Sequence, residues 1–252
     1  MLATKHRCFL EHEEKEKLIC DFRFAPEHAK TMFAGSDLLS TAKLEKVLTE
    51  IGHLLHSPSM LVTASQFSKR YSFAAAAPVL YAMTIFDQGL DVRADNCRLA
   101  SSVNTEKWLP RLQLDEETSL PLAGQERSLW RKRVLQGVFK ENLTKVNAVL
   151  AELTAIPEAI LWENTAVYVF WLYEQRMKQA DTPQRAEIKA DFRYLVQEDD
   201  GEAFGLSANP LKGLYDRETV DGLRVRQTCC LYYQLPGAGF CSTCRKCWRT
   251  EP

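Results

Sequence analysis

The distribution of cysteines limits what this chain can fold into more than any other feature of the sequence. Five of its eight cysteines lie within the last 24 residues, whereas positions 98–228 contain none. In a large intracellular chain, clustered cysteines more often bind metal or carry out redox chemistry than form disulfides. We therefore expect a metal-binding carboxyl-terminal segment on a body that folds by ordinary burial. The scattered Cys8, Cys20 and Cys97 we interpret as small buried side chains.

The spacing of the clustered cysteines narrows the kind of metal centre. Cys229 and Cys230 are adjacent, ten residues separate Cys230 from Cys241, and two separate Cys241 from Cys244. Four thiolates suit either a 2Fe–2S cluster or a structural zinc ion. Zinc sites of four cysteines usually use two knuckles of C-x2-C type, which adjacent cysteines cannot form without distortion. The spacing favours the iron–sulfur cluster, and a zinc site or a redox-active dithiol stays open.

Composition excludes several classes of function. The 252 residues include 32 Lys and Arg against 33 Asp and Glu, a balance that does not suit a protein that coats nucleic acid or an anionic membrane. The most apolar run, 73–83, is too short to span a bilayer and contains Pro78. The amino terminus has no apolar core of the signal-peptide kind, so we expect a cytoplasmic protein without a membrane span.

Hydrophobic periodicity predicts a mainly helical body. Helices are predicted where apolar residues recur at steps of three and four, or where a long apolar run follows a capping residue or proline: 40–57, 73–89 (begun or interrupted near Pro78), 128–153, 157–180 and 183–197. Residues 60–72 are compatible with a strand or a short helix, and 91–103 with a strand. Two prolines make 107–124 look like a long irregular connection.

These elements predict an α+β fold, with a predominantly helical body, a small mixed or antiparallel sheet and a carboxyl-terminal iron–sulfur-binding segment. We place the body at 1–210 and the segment at 211–252. From Lys212 onward, seven basic residues stand against four acidic ones, so the tail is positive while the rest is negative. The tail is too short to fold without a metal or the body beneath it.

The arrangement C-C-x10-C-x2-C near the carboxyl end, with the flanking sequence LYYQLPGAGFCSTC, resembles the FhuF-type ferric-siderophore reductases. The LWENTAVYVF stretch is similar to a looser segment in the helical half of that family. The resemblance implies that Cys229, Cys230, Cys241 and Cys244 hold a 2Fe–2S cluster and that Cys247 is a bystander. It also implies one-electron reduction of siderophore-bound Fe(III) to Fe(II), with no side chain acting as acid, base or nucleophile.

The implied substrate is bulky and often anionic, so the body should supply its pocket. Basic candidates for substrate binding are Lys69 and Arg70, which precede Tyr71, and Arg226, which could also steady the negative charge of the cluster. Trp162, Glu163 and Asn164 interrupt an apolar helix and could orient the tail, line the pocket or be purely structural. The expected partners are a ferric siderophore of hydroxamate or mixed citrate–hydroxamate type and a ferredoxin or flavoprotein electron donor.

Two other classes of function remain compatible with the sequence. The first is a zinc-stabilised interaction protein in which the four cysteines form only a clasp. The second is a biosynthetic enzyme, because the helical half is also distantly similar to siderophore synthetases. Such an enzyme needs a nucleotide site, and the sequence contains no phosphate loop of the G-x-x-x-x-G-K-[ST] kind. No signature of a Ser–His–Asp hydrolase is present either.

Overall fold

The computed structural model describes residues 10–100, 108–117, 119–178, 183–216, 219–220 and 223–246. The α-helices in these residues are α1 (His12–Phe22), α2 (Thr41–Leu54), α3 (Met60–Ile85), α4 (Arg127–Val138), α5 (Thr144–Thr154), α6 (Glu158–Phe170), α7 (Arg185–Arg193) and α8 (Lys212–Tyr215). The strands are β1 (Thr31–Ala34), β2 (Gln88–Leu90), β3 (Cys97–Ala100), β4 (Arg111–Leu114), β5 (Ser119–Pro121), β6 (Thr219–Val220) and β7 (Leu223–Arg224). The prediction of a mainly helical α+β fold is confirmed.

Helix α3 is the central element of the body. Between Val62 and Thr84 every residue except Lys69 is buried, so the helix is packed on all sides. The prediction that 60–72 forms a strand or a separate short helix is therefore wrong. A single helix, α3, covers these residues and continues through Pro78 without interruption. A helix buried all round shows no one-sided periodicity, which is why its first half was ambiguous in the sequence.

The strands form small antiparallel sheets beside the helices. β1, β3 and β4 make a three-stranded sheet in the order β1-β3-β4, and β2 pairs with β5. β3 confirms the strand expected within 91–103, whereas the irregular connection expected over 107–124 instead contains β4 and β5. Pro121 ends β5 at a sheet edge, where a missing backbone N–H is tolerated.

Three of the predicted helices continue through π turns, and in α7 that turn is Tyr194–Glu198. α4 passes into α5 through Phe139–Leu143, which confirms one helix over most of 128–153. The turn buries Asn142, whose amide accepts a hydrogen bond from the Tyr71 hydroxyl at 2.6 Å and donates to the Val92 carbonyl at 2.5 Å. α6 likewise continues through Trp171–Arg176. These polar contacts fix α3 against α4 and α5 at the centre of the core.

In the described residues, no helix combines the length and the apolar character needed to cross a membrane. The division of the chain at 210/211 stays a prediction, and hydrogen bonds join residues on its two sides. On the side of the body, these bonds come from α3 and α6, so the cysteine-containing tail packs against the helical core.

Candidate metal centre and adjoining cleft

Residues 226–246, here called the cysteine segment, follow an irregular path with two tight reversals. Leu231 takes a left-handed conformation (φ 60°) directly after the cysteine pair, and Gly237 (φ 70°) turns the loop back, as the Leu-Pro-Gly sequence predicts. The amide of Cys244 donates to the Cys241 carbonyl at 2.9 Å, so the C-x2-C spacing closes one turn. Both cysteine pairs thereby reach the same side of the segment.

The sulfur atoms test whether these residues fit a metal centre. The Cys230 and Cys241 Sγ atoms are 3.6 Å apart. Two thiolates bound to one tetrahedral metal ion through bonds of about 2.3 Å lie about 3.8 Å apart, so the observed distance is close to that of a metal-bound pair. Cys229 and Cys244 are also free thiols. In the residues that the structure describes, no group of three or more Cys, His or carboxylate side chains is arranged to hold a metal ion, so the Cys230–Cys241 pair is the part of the site that has metal-binding spacing. The sulfur pair and the all-thiol donor set fit a cluster ligated by cysteines.

The two facing thiols share their protons unequally. The pKa of Cys230 is lowered to about 5, first because of its hydrogen bond with the Cys241 sulfur and then, against the effect of burial, because Lys69 and Arg226 are near. The pKa of Cys241 is raised by the same hydrogen bond and by burial. The two opposite shifts favour loss of the first proton from Cys230, and a metal bound to both sulfurs requires both to be deprotonated.

Helix α3 fixes the backbone of the cysteine pair. The Cys230 carbonyl accepts hydrogen bonds from the Ser65 hydroxyl at 2.8 Å and from the Gln66 amide nitrogen at 2.6 Å. Arg70 donates to the Gln66 side-chain oxygen at 2.8 Å and to its carbonyl at 3.1 Å. Because Arg70 occupies the amide oxygen, the amide nitrogen of Gln66 is directed to Cys230.

Glu163 on α6 holds the start of the cysteine segment. Its carboxylate accepts hydrogen bonds from the backbone amides of Gln227 and Thr228, both at 2.7 Å, and from the Thr228 hydroxyl. Arg226 lies 3.7 Å from the same carboxylate, and both side chains are buried. Of the roles left open for Glu163, the structure shows two: it holds the start of the tail and it also lines the adjoining cleft. Charge-assisted bonds to buried amides are among the stronger contacts in proteins.

A cleft of about 530 Å³ adjoins the cysteine segment. Its walls come from α1, α3, α6 and residues 224–226 and 242–243 of the tail, and they carry aromatic side chains such as Trp171. Lys69 and Arg226 line it, so the structure brings two of the three predicted basic residues together beside Cys230. Arg70 is only 7% exposed, is not among the lining residues and bonds to Gln66 instead.

Several residues at this site were not singled out in the sequence. Ser65 and Gln66 bond to Cys230, and Arg23 and Tyr168 line the cleft. The only sequence signal for the first two is the run of polar residues inside an otherwise apolar helix, which needs buried partners. Cys247 lies outside the described residues, as does Cys8. Cys97 is buried as expected, whereas the expectation that Cys20 is buried is wrong, because it lies on the exposed side of α1.

One buried cation has a donor without a partner. Arg226 is 3% exposed, and its Nη1 atom has no hydrogen-bond acceptor among the described residues. Glu163 offsets the charge of Arg226, but a buried N–H donor that lacks an acceptor is still costly. A metal centre with four thiolates carries net negative charge and, bound beside Arg226, would offer that donor an acceptor. The unpaired donor is therefore a second observation that fits a cluster at these cysteines.

Comparison with known proteins assigns the family. The model of the family described as "Ferric iron reductase FhuF-like transporter" matches residues 65–218, more than half of the chain. The model described as "FhuF 2Fe-2S C-terminal domain" matches residues 226–244, a range that contains all four cysteines. Among curated proteins, none matches the chain. The second match selects iron–sulfur over the zinc clasp. The chain therefore belongs to the family of FhuF-like ferric iron reductases, and its cofactor is a 2Fe–2S cluster.

Proposed function

We propose that this protein is a ferric-siderophore reductase that receives its substrate in the cleft. The observation that supports this most is the shared wall: Arg226 and Thr243 belong to the cysteine segment and also line the cleft. A chelate seated there lies beside the proposed cluster ligands, Cys229, Cys230, Cys241 and Cys244. Electron transfer needs such proximity and needs no acid, base or nucleophile from the protein.

The bound cluster supplies one electron, which converts siderophore-bound Fe(III) to Fe(II). The oxygen donors of a siderophore hold the trivalent ion tightly and the divalent ion much more weakly, so reduction releases the metal. For a one-electron transfer, each difference of about 59 mV between the potentials of donor and acceptor changes the equilibrium constant tenfold. Subsequent capture of Fe(II) draws the reaction forward. A ferredoxin or flavoprotein in the cytoplasm is the proposed source of the electron.

The side chains around the site have two functions: some hold the backbone of the cysteine segment, and others supply positive charge. Gln66 and Ser65 fix the backbone of Cys230, and Glu163 fixes the approach to the cysteine pair. Lys69 and Arg226 supply positive charge to both the cluster and the cleft, and we propose both as substrate-binding residues. Arg70 stays a prediction as a substrate contact, and its observed bonds to Gln66 support a positioning role.

Anaerobic spectroscopy tests this function directly. Protein reduced with dithionite and freed of excess reductant is mixed with a ferric hydroxamate siderophore, and a ferrous-specific chelator reports the product. We expect the visible absorption of the oxidised cluster to return with one Fe(II) formed per cluster. The gallium(III) complex of the same siderophore, which has the same shape but cannot be reduced, is the control and should restore no colour. A reduced cluster that stays bleached with every ferric siderophore would contradict the proposal.

A further inference from the structure

The charged residues that line the cleft do not balance locally. Its three carboxylates are all engaged: Glu174 pairs with Arg224 at 2.6 Å, and Glu163 binds the cysteine segment beside Arg226. Asp21 pairs at 2.6 Å with each of two cations that do not line the cleft. None of these carboxylates is therefore left to neutralise the remaining positive groups of the wall.

Two cations of the wall remain without a carboxylate partner. Arg23 lies over the ring of Phe73 at 4.6 Å, and Lys69 lies over the ring of Tyr232 at 5.6 Å. Within the described ranges of the chain, neither forms an ion pair. Lys69 is near the Cys230 sulfur and so shares its charge with the cluster. Arg23 has no comparable negative neighbour there.

The backbone at Arg23 shows that an arginine is not the residue that the fold alone favours. Arg23 caps the carboxyl end of α1 in the left-handed conformation (φ 58°, ψ 33°), a position that glycine occupies most easily. An L-residue there is strained relative to the right-handed region. In addition, the buried Nη1 atom of its guanidinium has no acceptor among the described residues. The unpaired donor of a cation that lines the cleft, rather than the backbone conformation, points to a ligand.

The surroundings of Arg23 strengthen the positive field. Its pKa is lowered, first by burial and further by the nearby Arg111, and the buried Arg70 has Arg23 among its repelling neighbours. A guanidinium keeps its proton under such conditions, so the charges persist and repel one another. Tyr168, which lines the cleft, lies near both Arg23 and Arg70. An anion in the cleft would relieve this repulsion.

We infer that the cleft selects ferric chelates with a net negative charge and that Arg23, together with Lys69, determines this preference. The inference rests on the proposed reductase function and narrows its substrate class. Anionic groups outside the iron-binding donors, such as a free carboxylate, meet the two cations, while the aromatic walls contact the organic frame of the chelate. Neutral and cationic chelates lack the first of these contacts.

A charge series on one chelate frame tests the inference. Ferrioxamine B, its N-acetyl derivative and its N-succinyl derivative share the same three hydroxamates and differ only in a terminal group that is positive, neutral or negative. Their gallium(III) complexes report binding to oxidised holoprotein without electron transfer. We expect the dissociation constant to fall in that order, by roughly tenfold overall, and the difference to shrink at high salt.

Variants assign the preference to residues. Arg23→Gln and Lys69→Gln should each reduce the ratio of affinities for the negative and positive complexes by roughly threefold, whereas Arg23→Lys should retain most of it. Arg193→Gln is the matched control, since Arg193 is an exposed residue of α7 that pairs with Glu198 and lies outside the cleft. Its ratio should equal that of the wild type.

The outcomes separate this inference from the proposed function. If the ferric forms of all three chelates reoxidise the reduced cluster but the gallium complexes bind equally, the charge selection is wrong and the reductase stands. An unchanged ratio in Arg23→Gln overturns the assignment to Arg23. If no chelate binds or reoxidises the cluster, the reductase itself fails. Should Arg23→Gln not accumulate with a full cluster, the wild-type series and Arg23→Lys decide, because a wild type that prefers the neutral or positive complex contradicts the inference.

Discussion

Helix α3 and the cysteine segment are held in place by different kinds of contact. α3 is buried on nearly every side by apolar neighbours, so the hydrophobic effect fixes it without a specific partner. The cysteine segment has no helix longer than one turn. It packs Leu231 and Leu235 against the core, donates backbone hydrogen bonds to Glu163 and accepts others from Ser65 and Gln66. The body therefore owes most of its structure to area removed from water, whereas the tail makes a smaller apolar contact and relies more on a few polar contacts and the metal.

This difference predicts that the two regions can be damaged separately. Loss of a metal ligand should release the tail and leave the helices, whereas loss of core volume should destabilise the helices first. The contacts at Glu163 lie between these extremes, because they join the regions. The largest effect is expected at the metal ligands, and the smallest where only a charge is altered near them.

Replacement of a cluster ligand is the strongest test. We expect Cys230→Ser to lose most of its iron and sulfide, because a serine oxygen is a poor substitute for a buried thiolate, while far-UV circular dichroism retains the helical signal of the body. Cys20→Ser, an exposed cysteine outside the motif, should keep its full iron and sulfide content. Unfolding of the helices in Cys230→Ser would break the separation of the two regions.

A cavity in the core tests the second expectation, that loss of core volume destabilises the helices of the body. Phe67 is fully buried and stacks on Tyr71 and Trp108 at centroid distances of 5.4 and 5.6 Å. Phe67→Ala should lower the free energy of unfolding by about 3–5 kcal/mol, and thermal denaturation should show a Tm lower by roughly 10 °C. Iron content per folded molecule should stay unchanged.

The matched control for this change lies in the tail. Phe240 is 52% exposed, and the centre of its ring lies 5.7 Å from the centre of the Tyr233 ring. Phe240→Ala removes the same side chain without a core cavity, so its Tm should stay within about 2 °C of the wild type. Equal losses of Tm in the two variants would contradict the view that buried apolar area stabilises the body more than the tail.

Glu163→Gln addresses the junction. One of the two oxygens becomes an amide that cannot accept from a backbone N–H, so the start of the cysteine segment loses a charge-assisted bond worth about 1–3 kcal/mol. We expect proteolysis within the tail, and loss of iron to a chelator, to be roughly tenfold faster, with a nearly unchanged helical signal. Glu152→Gln, an exposed change on α5, is the control. Identical rates in both variants would show that Glu163 does not hold the tail.

The parts of the fold that could be predicted are those with a local signal. α2 was predictable because Leu44, Val47, Leu48 and Ile51 recur on one face, and all four are buried. The metal centre was predictable because its ligands are close in the sequence and their spacing is chemically specific. β4 and β5 were missed because prolines and short strands look like an irregular connection.

The rest of the site could not be predicted because its contacts join distant parts of the chain. Ser65 is 165 positions from the carbonyl that it binds, and Arg23 reaches the cleft from α1. No local pattern records which polar residue of an apolar helix meets the tail. Lys69 is the intermediate case: its basic character was visible, but its position as the one residue between 62 and 84 that is not buried depends on the packing around α3.

The charge of Lys69 gives the smallest expected effect. The reduced cluster carries one more negative charge than the oxidised cluster, so a nearby cation stabilises the reduced form and raises the potential. Lys69→Gln should therefore lower the potential by roughly 10–40 mV in a spectroscopic redox titration, less at high salt. Lys43→Gln, which alters an exposed lysine paired with Asp37, should leave it unchanged. An unchanged potential in Lys69→Gln would mean that Lys69 acts on the cleft alone. The body would then influence the cluster only by holding the backbone of the cysteine ligands.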